Sequence, residues 1–511
     1  MTAAPDRQFK VLLTAQNAFP ELERQFLQAQ TEIIAGFRIF DPWTKLHTTE
    51  AKAFGDTWFD LIVATLNRDV KVTFILCDFD PVLGAELHMQ TWDSIRAMAA
   101  AAEVSRNPHL LSARASLHPA RVGWLPRLLL WPRVRKEVAS NLSGLNNLPR
   151  DQIEHRLRSA PHFHDLVKWK GESVVPRLRP PPLVPVTHHQ KLAVFDDETL
   201  YVGGLDLNDR RYDTPQHRRD ADETWHDTQV LVTGPVAQEA AQHLRNFEAV
   251  TYGKPALPTR HLLRTISAKR RIALPFLSPK PVINELAQMH HAQIDQSERL
   301  IYLETQFFRD RTLAKHLAKR ARANPDLTLI LILPAAPEEA AFYDKTGSDV
   351  AYGEYLQTKS IEIVEDAFGD RFFVGSPAQP RDTDRTGRDA HYNAPIIYLH
   401  AKVSIFDDRL GLVSSANLNG RSMAWDTEIG VATQSADEVQ SLKNQSFEHW
   451  LGPDAGPEFY DVKTACAVWA AQARRNTALT PKERSGFILP YAKAPAAELG
   501  YDLPGVPEEI V

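Results

Sequence analysis

His189, Lys191 and Asp196 recur as His400, Lys402 and Asp407, each member of the second set standing 211 positions after its counterpart. The runs that carry them, His189-Gln-Lys-Leu-Ala-Val-Phe-Asp196 and His400-Ala-Lys-Val-Ser-Ile-Phe-Asp407, agree in pattern as well as in spacing. After six further residues Gly203-Gly204-Leu205-Asp206 answers Ser414-Ser415-Ala416-Asn417 at the same offset. One short motif recurs by chance, but two copies with the same extended spacing mark an internal duplication.

Two histidines and two lysines meet the demands of phosphodiester cleavage. A neutral imidazole attacks phosphorus, a protonated one donates to the departing alkoxide, and ammonium groups balance the non-bridging oxygens. A phosphohistidine intermediate divides one hard displacement into two easier ones. The scheme calls for no cofactor and no metal, and the spacing suggests no ligand set, since Cys77 and Cys466 stand singly in apolar contexts. Each imidazole needs a carboxylate on its other ring nitrogen to fix the tautomer. Asp227, in Trp225-His-Asp227, and Glu428, in Trp425-Asp-Thr-Glu428, are the candidates. Asp196 and Asp407 are expected to be structural, each tying the loop of its own motif through backbone hydrogen bonds. Gly204 and Ser415 belong to small pairs that follow a strand, where the backbone can approach a bound anion closely. His188 points away from His189 and is expected to pack or hydrogen-bond. For Glu304 and Gln306 two readings stay open, contact with a headgroup or the polar face of a buried strand.

These side chains need a scaffold, and the pattern predicts one twice. Strand 32–40, amphipathic helix 49–66 and strand 70–77 are answered by strand 300–308, helix 312–322 and strand 327–333. Each His-x-Lys is expected on its own short strand, where alternation turns both side chains to one face. The expected fold is α/β, two similar lobes with mixed β-sheets flanked by helices. Residues 1–255 form the first lobe and 256–475 the second, with an irregular tail over 476–511. An insertion at about 104–185 has no partner in the second half and carries 14 Lys and Arg against 5 Asp and Glu, in a chain of net charge −5. Within it, residues 123–136 mix Trp, Leu and cations in the manner of a segment lying on a phospholipid membrane surface, or of a basic helix pair packed on the core.

With 511 residues, 43% hydrophobic and 24% charged, the chain reads as folded and globular. No run reaches the ~18 apolar residues of a membrane span, and the first thirty residues lack a signal-peptide pattern. The expectation is a soluble chain, cytoplasmic or exported without a cleaved signal. The duplication builds the site within one chain, so no obligatory protein partner is expected.

The paired His-x-Lys-x-x-x-x-Asp pattern, with the small pairs and Asn417, resembles the phospholipase D superfamily across nearly the whole chain. Residues 203–217, followed by Trp225-His-Asp227, look like the first catalytic motif of eukaryotic-type phospholipases D, and Ile301-Tyr-Leu-Glu-Thr-Gln-Phe-Phe308 looks like the strand before their second motif. The resemblance implies a pseudo-twofold, phospholipase-D-like fold, with His189 as nucleophile and His400 as acid and base. It further implies that Lys191, Lys402 and Asn417 hold phosphate and that Asp227 and Glu428 orient the histidines. Hydrolysis of glycerophospholipids to phosphatidic acid, with transfer to alcohols as a side activity, is the leading expectation. A nucleic-acid phosphodiesterase and a cardiolipin-synthase-like phosphatidyltransferase are the alternatives. Asp206, standing where the second half has Asn417, favours lipid over nucleic acid because the phospholipase-like members share that acidic choice. Ser414 replaces the usual Gly, a small-for-small change.

Overall fold

The computed structural model describes residues 8–159, 161–343 and 347–511. Two mixed sheets organise it, and the seven strands of the first reappear in the second in the same spatial order. In the first sheet that order is Phe9–Leu13, Thr228–Thr233, Thr199–Gly203, Leu192–Phe195, Glu32–Phe37, Lys71–Cys77 and Leu111–Ser116. In the second it is Leu262–Ala268, Glu428–Thr433, Leu410–Ser414, Val403–Phe406, Leu300–Glu304, Thr328–Ile332 and Phe372–Pro377. Both run antiparallel through the first five strands and parallel through the last two steps. Edge strands Lys280–Asn284 and Ile488–Pro490 widen the second sheet to nine.

Strands covered on both faces read as continuous apolar runs, and these are covered twice over. Ile34, Leu192 and Val194 point into a cluster shared by the lobes, which includes Val413, Val431 and Trp450. Their neighbours Ile33, Ala193 and Phe195 point into the first lobe's own cluster with Phe26, Trp58 and Phe74. Leu303, Leu317, Leu331 and Val364 do the same in the second lobe. The lobes therefore share an apolar wall, and the motif-bearing central strands run along it.

Several expectations need correction. The helix expected over 49–66 is two, Thr49–Lys52 and Trp58–Asn67, the second started by a capping box of Thr57 and Asp60. Leu111–Ser116 lies inside the presumed insertion yet corresponds to Phe372–Pro377, so the unmatched segment begins only after it. Beyond it stand helices Trp124–Leu145 and Arg150–Ser159 over a separate cluster that includes Val138, Leu142, Ile153 and Val174. The tail expected to be irregular is partly regular: Ile488–Pro490 pairs with Phe372–Pro377 and Lys493–Leu499 is a helix. Edge pairing and contacts such as Arg311 Nε to Glu508 Oε1 at 2.7 Å order a stretch whose composition carries no period.

Asp196 and Asp407 act at a longer reach than their own loops. At φ of 53° and 54° they turn back to cap the entry of the adjacent central strand. Asp196 accepts from the amides of Gln30, Thr31 and Glu32, and Asp407 from those of Glu298, Arg299 and Leu300. Asp407→Ala is expected to lower stability by about 2 kcal/mol in a urea titration, with activity per folded molecule unchanged. Lost turnover at full stability would instead assign the carboxylate to the chemistry.

Candidate active site

The motif histidines and lysines do not lie within regular strands; they immediately precede them, since Leu192–Phe195 and Val403–Phe406 begin one residue after each lysine. The reason is that these lead-in segments pair across the lobes. His188 bridges to Thr427, and Leu399 bridges to His226. The Thr427 amide donates to the Thr187 carbonyl at 3.0 Å, and the His400 amide to the His226 carbonyl at 2.8 Å. Each lead-in is thus clamped to the start of the opposite lobe's carboxylate-bearing strand.

The consequence is an exchange of partners. His189 Nδ1 lies 3.0 Å from Glu428 Oε1, and His400 Nδ1 lies 2.6 Å from Asp227 Oδ2. Each motif imidazole is thus held through Nδ1 by a carboxylate of the other lobe. Lys191 Nζ donates to the His189 carbonyl at 2.5 Å, and Lys402 Nζ approaches both His400 Nδ1, at 2.9 Å, and the His400 carbonyl. Lys191 has a counter-ion in Asp206 at 3.6 Å. The other oxygen of Asp206 accepts from the Ile39 amide at 2.8 Å. His188 donates to or accepts from Thr427 Oγ1 at 2.8 Å, in keeping with a packing and hydrogen-bonding role.

The small pairs serve the carboxylates. A Cβ on Gly204 would overlap Asp227 Oδ1, so glycine there makes room for the carboxylate that holds His400. At the corresponding position Ser415 donates its hydroxyl to Glu428 Oε2 at 2.5 Å and accepts from the Ile429 amide at 3.0 Å. Gly204 and Ser415, expected to bind phosphate, are thus also in contact with the carboxylates that hold the two imidazoles. Asn417 donates to Gln306 Oε1 at 3.3 Å, and Gln306 in turn donates to the Tyr398 hydroxyl. Glu304 accepts from Tyr302 and Trp450, which places it in a buried polar cluster. Gly204→Ala is expected to lower kcat on a phosphodiester about 10²-fold through displacement of Asp227, with KM little changed. A rise in KM alone would assign this glycine to phosphate binding.

Burial dominates the electrostatics. It pushes both imidazoles well below the usual histidine range, with Lys191, Arg38 and Lys402 adding to the effect at His189, and Lys402 and Lys191 at His400. It drives Lys402 down to about 7 against the pull of Asp227. Glu428 is raised to about 8 and Asp227 to about 6 by the same burial, against Lys191 and Lys402 respectively. Burial and the neighbouring cations therefore favour the neutral form of both imidazoles. Two cations escaped the motif reading. Arg38 acts on His189 and Arg211 on His400, the former with its buried Nε unpartnered among the described residues. Arg38 follows the apolar strand Glu32–Phe37 and Arg211 ends the short 3-10 turn Asp209–Arg211, so neither has a spacing that announces it.

Residues 290–450 match the family described as "Cardiolipin synthase, PLD-like domain". Among curated relatives, Phospholipase D1 of Schizosaccharomyces pombe (strain 972 / ATCC 24843) is 24% identical over 351 residues, 49% of this chain and 25% of that protein. Phospholipase D alpha 4 of Arabidopsis thaliana is 24% identical over 391 residues, 54% of this chain and 50% of that protein. The matches thus span half or less of the length of these relatives. The crystal structure of phosphatidylserine synthase from Haemophilus influenzae Rd KW20 superposes with a TM-score of 0.44 and 14% identity, covering 86% of each chain. The family match over residues 290–450 and the phospholipase D relatives, taken with the duplicated motifs, support the phospholipase D superfamily as the one this chain resembles.

Proposed function

We propose that the protein is a phospholipase D-type phosphodiesterase that hydrolyses glycerophospholipids to phosphatidic acid through a phosphohistidine, with transfer to alcohols as a side activity. The observation that carries this reading is the exchanged pair His189–Glu428 and His400–Asp227 around Lys191 and Lys402. His189 Nε2 attacks phosphorus, the P–O bond to the headgroup alcohol breaks, and His400 protonates the departing oxygen. His400 then takes a proton from water or an alcohol, which attacks phosphorus and releases His189. Lys191 and Lys402 face the non-bridging oxygens, where charge develops. With a side-chain exposure of 12% against 6%, His189 is the more accessible imidazole, which supports its assignment to attack.

A membrane surface is the partner this reading requires. Helix Trp124–Leu145 is continuous: Pro126 falls in its first turn, where a missing amide costs nothing, and Pro132 is accommodated inside. It buries only Val134, Val138 and Leu142, all in its later turns. Trp124, Leu125 and Leu129 stand exposed at its start. Ile272 and Leu274 add to them from a second-lobe loop joined by the Gly123 amide to the Phe276 carbonyl at 2.8 Å. Arg127, Arg133 and Arg135 lie on the same helix and Arg270 and Arg271 on the same loop, a pairing of apolar side chains with cations that suits anionic lipid better than a polyanionic nucleic-acid backbone. No helix among the described residues is long and apolar enough to cross a membrane.

The test is incubation with phospholipid vesicles and ethanol. Phosphatidylethanol and phosphatidic acid are the expected products; DNA cleavage without either overturns the lipid assignment. The paired substitution Leu129→Glu and Ile272→Glu is expected to weaken vesicle binding about 10-fold or more, sparing a short-chain soluble substrate. Equal loss on both substrates would make the patch part of the folding core.

A further inference from the structure

Behind Asp227 lies a second cluster of titratable side chains that the reaction above does not use. His217, from the segment after the first small pair, His226, from the lead-in to Thr228–Thr233, and His449, from helix Ala436–Leu451, offer one ring nitrogen each within 4.8 Å of one another. His217 and His226 are buried and His449 is half-buried. The Nε2 atoms of His217 and His449 are 3.0 Å apart. Tetrahedral zinc at ~2.0–2.1 Å holds its imidazole nitrogens roughly 3.3 Å apart, so this pair already stands near ligand spacing, and the third nitrogen closes by at most about 1.5 Å.

Three further observations point to a ligand. Asp213 Oδ2 holds His217 Nδ1 at 2.6 Å, the carboxylate-on-imidazole support that fixes a metal-binding tautomer. His226 Nδ1 is fully buried without a partner among the described residues, and its Nε2 lies 3.9 Å from Glu304 Oε2, a buried oxygen equally without one. Trp450 lies tilted against His226 at 4.3 Å between centroids, and Phe487 lies against His217 and His449 at 5.7 and 5.8 Å, walls that keep water from competing for an ion.

We propose that His217, His226 and His449 bind one divalent transition-metal ion of the zinc class. The ion is a positioning device and touches no substrate. It fixes the His226 peptide, whose carbonyl receives the amides of His400 and Ala401 at 2.8 and 3.1 Å, and whose next residue is Asp227. Its binding does not depend on the reaction proposed above; its influence on His400 does.

The full chain, stripped with chelator, incubated with zinc chloride and desalted, is expected to retain roughly one zinc per molecule. His449→Ala and His217→Gln are expected to retain less than about a tenth of that. Because His449 is half-buried on a helix surface, its variant keeps the fold, which the unfolding temperature of the zinc-free protein verifies. Zinc is expected to raise that temperature by roughly a few degrees in the wild type and in neither variant. Cobalt(II) in place of zinc should give visible ligand-field bands that His449→Ala lacks. Failure of the wild type to retain zinc, or equal retention by His449→Ala, overturns the site. Zinc bound by the wild type without moving the pH profile of turnover overturns the positioning role.

Discussion

His189→Ala is expected to abolish turnover of every phosphodiester, by about 10⁴-fold or more, whereas His400→Ala is expected to retain a single burst from an aryl phosphodiester. The difference follows from what each imidazole does to the leaving group. A choline or ethanolamine alkoxide cannot depart without a proton, so loss of His400 stops phospholipid cleavage. A nitrophenolate departs unaided, so in the same variant His189, still held by Glu428 at 3.0 Å, attacks and is phosphorylated. No base then activates water, and the intermediate accumulates. One nitrophenolate per site and an acid-labile, alkali-stable phosphate on His189 are the expected readouts, the latter by mass spectrometry of a peptide spanning the motif. A burst from His189→Ala and none from His400→Ala would exchange the two roles.

The residues that announce this chemistry are legible because catalysis fixes their type and spacing together: histidine, lysine and aspartate at a repeated interval survive in sequence as a pattern. The strands that follow them are legible for the same reason, as Leu192–Phe195 and Val403–Phe406 sit 211 positions apart like the motifs. What spacing cannot convey is which lobe's carboxylate meets which imidazole. That depends on the bridges His188 to Thr427 and His226 to Leu399, contacts between segments about 170 to 240 residues apart that only the packed lobes create. The same limit hid the contact of Gly204 and Ser415 with the carboxylates. A small residue after a strand reads as room for an anion, and here the anion accommodated is the protein's own carboxylate. Ile488–Pro490 escaped because three residues of strand carry no period, and the histidine cluster because its members come from a loop, a strand lead-in and a helix with no shared interval.

The exchanged carboxylates carry a prediction that separates the two halves of the site. Asp227→Asn and Glu428→Gln are each expected to lower kcat by about 10³- to 10⁴-fold, as removal of an orienting carboxylate does, but to move opposite limbs of the pH profile of kcat/KM. Loss of Asp227 leaves His400 among Lys402, Lys191 and Arg211 without its anion, so its affinity for a proton falls further. Because His400 must be protonated to donate, activity falls as pH rises through its pKa, and this falling limb moves toward acid. Lys402 shifts the same way, since Asp227 is the principal group opposing the burial that holds it at about 7. Loss of Glu428 lowers the proton affinity of His189 in turn. That imidazole must be neutral to attack, so the limb that moves toward acid is the rising one. Lys191 still has Asp206 at 3.6 Å and Lys402 still has Asp227, so the falling limb of Glu428→Gln moves less than that of Asp227→Asn even though Glu428 also supports both lysines. The two limbs belong to the coupled site as a whole, and their opposite response is what ties attack to one lobe and protonation to the other. If both variants displace the same limb to the same extent, the division of labour between His189 and His400 fails even with every contact of the site intact.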